Sequence, residues 1–398
     1  MNLPRFIQIH TLHNYPGALL NRDDAGLAKR LPYGNAVRTR ISSQCLKRHW
    51  RVADDHFALD KLGVGMAVRS RITLDLIRKR LIAAGTSQAL AQSACEGLRK
   101  AGLLDKGGKQ ALGQEALVTG QAVLLGYAEI DYLVQRTAEL AKAHPEAKAL
   151  KGAIAEFLKN EKKNIGALKH GSGLESALFG RMVTSDVLAS RDASVYVAHA
   201  FTVHEAQVEN DYFTVVDDLQ REASKRASAG VFDSELASGL YYGYVVVDVP
   251  QLIANLEGEA AKDWASLPKK KRELAGRVVH HLLHLIATVS PGAKRGATAP
   301  FDWAQFLLVE VGDWQPRSLA GAFHNALELN QPSLRETAVH MLAQEIGKLD
   351  AAYGAPLERR YLALDEVALP QAHKLPLQAL AQWVQACITQ GSVAPKAV

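Results

Sequence analysis

The chain has 398 residues, 48% of them hydrophobic and 22% charged, with a formal net charge of +6 and a sequence pI near 9.0. That length exceeds a single minimal core and points to a core domain with a large insertion or a second lobe. No apolar run approaches the roughly 20 residues that span a bilayer, the start MNLPRFIQIHTL lacks a signal-peptide pattern, and Cys45, Cys95 and Cys387 are odd in number and far apart. These features exclude a membrane span and a disulfide frame or zinc cluster, and they fit a reducing cytoplasm.

Phe6–Leu12 (FIQIHTL) is a short β-type run, and HNYPGALLNRDDAG after it reads as a loop. Between Asp24 and Asp54 stand Lys29, Arg30, Arg38, Arg40, Lys47, Arg48 and Arg51, with His49 beside them and no acid. Charge alone leaves two readings open: a solvated basic face, or a surface that a polyanion neutralises. Ser42 or Ser43 caps a helix, since Leu46, His49 or Trp50, Ala53 and Phe57 recur at helical spacing. Lys47, Arg48 and Arg51, flanking Gln44, then share the opposite face.

From about Arg69 to Lys169 the composition is rich in Ala, Leu and Lys, with amphipathic helical segments. Ala177–Thr184 and Val195–Val203 return to β character. Asp211–Gly239 opens on Tyr212 and Phe213 and then turns polar, so it projects as a long hairpin or arm. Leu240–Val249 is a strand, Lys271–Val289 a helix and Gln305–Val311 a strand, and helices around Pro316–Leu329, Leu334–Leu349 and Leu377–Ile388 close the chain. The order is β-α-β-β-α-β once the insertions are removed. The fold class is therefore α+β, with an RRM-like (ferredoxin-like) core.

Asp23 and Asp24 are a candidate pair for a divalent metal, although adjacent loop carboxylates more often serve a turn. His280 and His284 have i, i+4 ligand spacing, but the zincin pattern needs Glu after the first His, and His281 stands there. No phosphate loop, dinucleotide fingerprint or nucleophile elbow occurs. Met182 beside Arg181 reads first as core filler, or as a wedge between bases. Tyr212 and Phe213 either stack on bases or anchor the arm. Lys294 and Arg295, with glycine on both sides, form a second basic point.

NRDD at 21–24, VRTRISSQCLKRHWR at 37–51, ALFGRMVTS at 177–185, AHAFTVHEAQVENDYFTVVDDLQ at 198–220 and PGAKRGATAPF at 291–301 together closely resemble the backbone subunit of type I-E CRISPR Cascade, the CasC family. The similarity runs to about Val311 and is looser beyond. It implies a hand: an RRM-like palm with C-terminal helices (1–59, 171–204, 240–398), a helical fingers insertion (60–170) and a thumb arm (205–239). It further implies a non-catalytic protein whose partners are a guide RNA, target DNA through the R-loop, copies of itself head to tail, and the other Cascade subunits.

Carried over by position, Arg22, Lys29, Ser42, Gln44, Lys47, Arg48 and Arg51 would contact guide RNA. Met182 would wedge against bases, and Tyr212, Phe213 and Thr214 would lie near a displaced base. Tyr212 stands where the family commonly has Trp. Arg40, Arg181, Lys294 and Arg295 join the RNA-binding set by charge and place. Lys148, Lys151, Lys159, Lys162 and Lys163 are target-DNA candidates by charge and location only. No cofactor is implied. Two rivals remain: a metal-dependent ribonuclease using Asp23 and Asp24, and a monomeric RNA-binding module.

Overall fold

The computed structural model describes residues 3–103, 117–120, 122–167, 172–181, 190–216, 228–330, 332–354 and 357–391. The chain packs as two compact units. Met1–Ala58, Tyr196–Val247 and Gly276–Val398 form the first; Leu59–Val195 and Asp248–Ala275 form the second.

In chain order the described strands are β1 (Phe6–Ala18), β2 (Arg30–Tyr33), β3 (Ala36–Ile41), β4 (Ala67–Ser70), β5 (Val123–Gly126), β6 (Val195–Val197), β7 (Ala200–Thr202), β8 (Gln207–Val216), β9 (Ser228–Asp248), β10 (Phe306–Gly312), β11 (Glu358–Ala363) and β12 (Ala372–Lys374). The main sheet runs β12-β11-β10-β1-β9-β7-β3-β2, with β6 and β8 also paired to β9. β1 and β10 are antiparallel, in register from Phe6↔Gly312 to Leu12↔Phe306. Residues 6–12 are buried on both faces, so the apolar–polar alternation of Ile7, Gln8, Ile9 and His10 does not mark a half-exposed strand: Gln8 and His10 are buried too.

One sheet face carries Leu12, Tyr242 and Leu308, which pack with Phe323 against the helix Leu334–Tyr353. The ionisable residues His10, Glu310 and Arg359 enter this buried layer as partners of one another, as burial demands. His10 Nε2 lies 3.2 Å from Glu310 Oε2, and Glu310 also accepts from Arg317 and, at 2.6 Å, from Arg359 Nε. Arg359 in turn holds Asp350 through two 2.6 Å bonds. Burial alone would raise the Glu310 carboxyl, yet its bonds from His10 and Arg317 hold it well below the usual carboxylate range. The other face buries Tyr15, Ile41 and Tyr241, with Leu46 packed against them and Trp50 buried beside them.

In the second unit the helices Thr73–Ala83, Gln88–Lys100, Tyr127–Ala143 and Ala147–Ala167 enclose a core that includes Leu74, Ile77, Leu98, Ile130, Leu133 and Ile154. β4 and β5 form a separate two-stranded sheet there.

Four local expectations change. β1 continues to Ala18, taking in the first part of the expected loop, because Tyr15 and Ala18 bury their side chains. The β reading of Ala177–Thr184 fails at its start, because Leu174–Phe179 is a helix, buried from Leu174 through Leu178; residues 182–184 lie outside the described residues. Only Ala320–Phe323 of the expected helix at 316–329 is helical, as a single 3₁₀ turn. The expected palm segment 171–204 divides, since 172–195 packs with the second unit.

Candidate nucleic-acid interface

The loop after β1 folds back on itself. Lys29 N donates to Asn21 O at 3.0 Å, Asp23 N donates to Leu27 O at 2.8 Å, and Arg22 and Ala28 form an antiparallel bridge. Asp23 Oδ1 accepts from Ala25 N at 3.0 Å and Leu27 N at 2.9 Å. This carboxylate thus shapes its own turn, the common role of a loop aspartate. Asn21 Oδ1 accepts from Ser42 N at 2.9 Å, which ties the loop to the start of helix α1 (Ser43–Arg51).

Ser42 is the N-cap: its hydroxyl accepts from Cys45 N at 3.3 Å and its side chain is buried. Trp50 anchors α1, Gln44 and Arg48 stand exposed, and Lys47 and Arg51 are half-buried. Arg48, His49 and Arg51 occupy the last turn, where cations also favour the helix dipole.

The seven cations of the acid-free segment have unlike fates. Arg38 is fully buried and donates to Thr202 O and Phe323 O, both at 2.9 Å. Arg30 pairs with Glu235, an acid supplied from β9. Arg40 donates to Arg30 O at 3.2 Å and meets His199 Nδ1 at 3.2 Å. Burial and the cations Arg40 and Lys29 push the His199 pKa down. Lys29 stays half-buried.

The loop at 291–301 completes this end of the unit. Ala293 N donates to Leu19 O at 2.8 Å. Asn21, Arg22, Asp23, Asp24, Cys45 and His49 line an open cleft of about 530 Å³ together with Gly292 and Ala293. Burial lifts the Cys45 thiol to about 11, so this cleft residue stays a neutral thiol at neutral pH. Lys294 and Ala299 hold left-handed backbones (φ 51° and 40°), which non-glycine residues adopt only under constraint. Lys294 Nζ sits 4.8 Å above the Phe213 ring, and Arg295 lies 5.3 Å over Phe301.

β8 and β9 form the arm, paired from Gln207↔Ser238 outward to Val216↔Ser228. Tyr212 is 69% exposed and Phe213 36%. As successive strand residues they point to opposite faces, so only Phe213 turns toward Lys294. The side chain of Thr214 and all of Met182 lie outside the described residues.

In the second unit Arg181 has a different partner from the RNA expected for it. Its guanidinium is buried and donates to Glu129 at 2.6 Å, because a buried carboxylate requires a cation. Lys148 and Lys159 are exposed on the helix Ala147–Ala167, whereas Lys151 pairs with Glu96 at 2.7 Å. The side chains of Lys162 and Lys163 lie outside the described residues.

The histidine cluster forms a stack. His284 lies 3.6 Å from Phe57, ring on ring at 7°, and burial pushes it down to about 4. Among the described residues no three His, Cys, Asp or Glu side chains converge as metal ligands would.

Sequence reasoning missed Asn21, His199 and Glu235. Each acts through the fold, and Glu235 stands some 200 residues from the segment it joins, so no local signal marks it.

The model of the CT1975-like protein family matches residues 7–386. Comparison with curated proteins gives no match. A solved chain described as "CRISPR RNA-guided surveillance complex, pre-nicking" is similar at a TM-score of 0.76 and 27% identity, over 96% of this chain and 100% of that one. A chain of a "CRISPR RNA-guided surveillance complex" gives 0.65 and 23% identity over 95% and 99%, a likeness of fold alone. Matched over nearly its whole length, the chain belongs to the CT1975-like protein family.

Proposed function

We propose that this chain is a non-catalytic backbone subunit of a type I-E CRISPR surveillance complex, binding the sugar-phosphate backbone of guide RNA and polymerising head to tail along it. The observation that carries the reading is convergence. The Arg22–Lys29 loop, the start of α1, the 291–301 loop and the root of the β8–β9 arm meet at one end of the first unit. They bring Arg22, Lys29, Gln44, Arg48 and Lys294 to one region. Such groups suit phosphate and ribose and leave base edges open for pairing, as a guide of variable sequence requires. The similarity to a surveillance-complex chain over its full length supports the same assignment.

The strand order β10-β1-β9-β7, with α1 after β1 and the helix Lys269–Thr288 between β9 and β10, supports an RRM-like palm. The arm would act as the thumb, with Tyr212 and Phe213 on separate faces. Exposed Lys148 and Lys159 lie eleven residues apart, about three helical turns, and so share a face suited to target DNA.

Asp23 favours the non-catalytic reading over the ribonuclease, since its carboxylate already satisfies its own turn. The test is to purify the protein from cells that express a guide array, then add complementary RNA and magnesium. Co-purified RNA of uniform length and intact complementary RNA are expected. Periodic cleavage that disappears in Asp23→Ala or Asp24→Ala would overturn the assignment.

A further inference from the structure

We infer that Glu235 is a positioning residue that locks the Arg22–Lys29 loop to the root of the arm, so that the phosphate grip and the arm move as one piece. The inference rests on the RNA-binding reading above and deepens it.

Glu235 lies on β9, opposite Asn210 in the arm, and is 6% exposed. Its Oε1 accepts from Ala28 N at 2.8 Å, and its Oε2 pairs with Arg30 Nη2. Ala28 and Arg30 flank Lys29, whose own backbone is held from two further sides. Lys29 N donates to Asn21 O at 3.0 Å, and Arg40 N donates to Lys29 O at 2.8 Å. Lys29 therefore leaves a backbone fixed by β3, by its own loop and by the arm.

The arm can serve as an anchor because its root is itself immobilised. Gly17 N donates to Ser238 Oγ at 2.8 Å, and Leu240 N donates to His204 Nε2 at 3.1 Å. Gly239 packs so closely that a Cβ there would stand 2.7 Å from Thr202 Cγ2 and 2.9 Å from His204 Nε2. Glu235 precedes this clamp by only a few residues.

The electrostatics sharpen the claim. A buried anion inside a surface that binds phosphates opposes binding, by Coulomb repulsion alone. Removing it should tighten binding if charge is all that matters. Positioning requires the opposite sign: without Glu235 the Ala28 amide is unpartnered, the loop loosens, and affinity falls.

The experiment uses the full chain and a labelled single-stranded RNA long enough for several copies, with anisotropy at fixed salt and amide exchange without RNA. Glu235→Ala is expected to bind roughly tenfold more weakly and to exchange the Ala28 and Lys29 amides faster. Glu235→Gln, whose carbonyl still accepts from Ala28 N, is expected to stay within about threefold of the parent. Binding by Glu235→Ala as tight as the parent or tighter, with unchanged exchange, would overturn the proposal. Should Glu235→Ala fail to fold, Arg30→Ala serves: it keeps the Ala28 bond, so retained Ala28 protection is expected and its loss refutes the lock. If the parent itself does not bind RNA, the functional reading fails, while the exchange measurement still decides the role of Glu235.

Discussion

Arg48→Ala and Arg38→Ala form a matched pair, because both residues belong to the same basic segment and the structure gives them opposite roles. Arg48 stands exposed on α1. If it neutralises one phosphate of a single-stranded RNA, its loss lowers the slope of log affinity against log salt by about 0.7. Over a fourfold change in salt that amounts to roughly a 2.6-fold change in relative affinity. Arg38 is buried and satisfies the carbonyls of Thr202 and Phe323. Its removal leaves two buried acceptors, at about 1–3 kcal/mol each before any relief from no longer burying a charge. The net expectation is a loss of about 2–4 kcal/mol of stability with the salt slope unchanged. Anisotropy titrations at several salt concentrations and urea unfolding read the two effects separately. A slope unchanged in Arg48→Ala but lowered in Arg38→Ala would refute the division of the segment into a grip and a structural part.

Glu310→Gln should destabilise the first unit by about 3–5 kcal/mol in urea unfolding, because Arg317 and Arg359 lose a buried counter-ion; a loss under about 1 kcal/mol would contradict that. The wild-type contribution of Glu310 is fully present above the ordinary value of 4.5 and declines as pH falls below it toward the depressed folded value. His284 acts with the same sign: its pKa also falls on folding, from 6.5 to about 4, so the folded state binds fewer protons. Stability should then drop as pH falls from 6.5 to about 4, by up to about 1.4 kcal/mol per pH unit. His284→Phe should flatten this acid loss in thermal scans, and an unchanged pH dependence would contradict the assignment. His13, also pushed down to about 4, keeps part of the slope.

The sheet was readable where burial leaves a composition signature. FIQIHTL and QFLLVEV are rich in large apolar residues because both faces of β1 and β10 are covered, and their polar members Gln8, His10 and Glu310 are buried with them. A cap at Ser42 or Ser43 was readable because capping is local, and the fold selects Ser42. The β reading failed over Ala177–Phe179 for a physical reason: a short helix buried from Leu174 through Leu178 presents no amphipathic period. The basic segment was half legible. Its lack of acids is a sequence fact, but charge balance is settled in space, and β9 brings Glu235 to Arg30 from outside the window. Arg38 and Arg181 look like surface cations in sequence, and only the fold shows them buried on carbonyls and on Glu129. The alternation of β8 likewise divides Tyr212 from Phe213, which a shared role near one base had joined.

The proposed function requires copies of this chain to grip an RNA backbone and extend along it. Sedimentation of the protein with single-stranded RNAs of increasing length tests it directly. Particle mass should rise in equal steps as the RNA lengthens, with no preference for sequence. Particles holding one protein copy at every RNA length would contradict it.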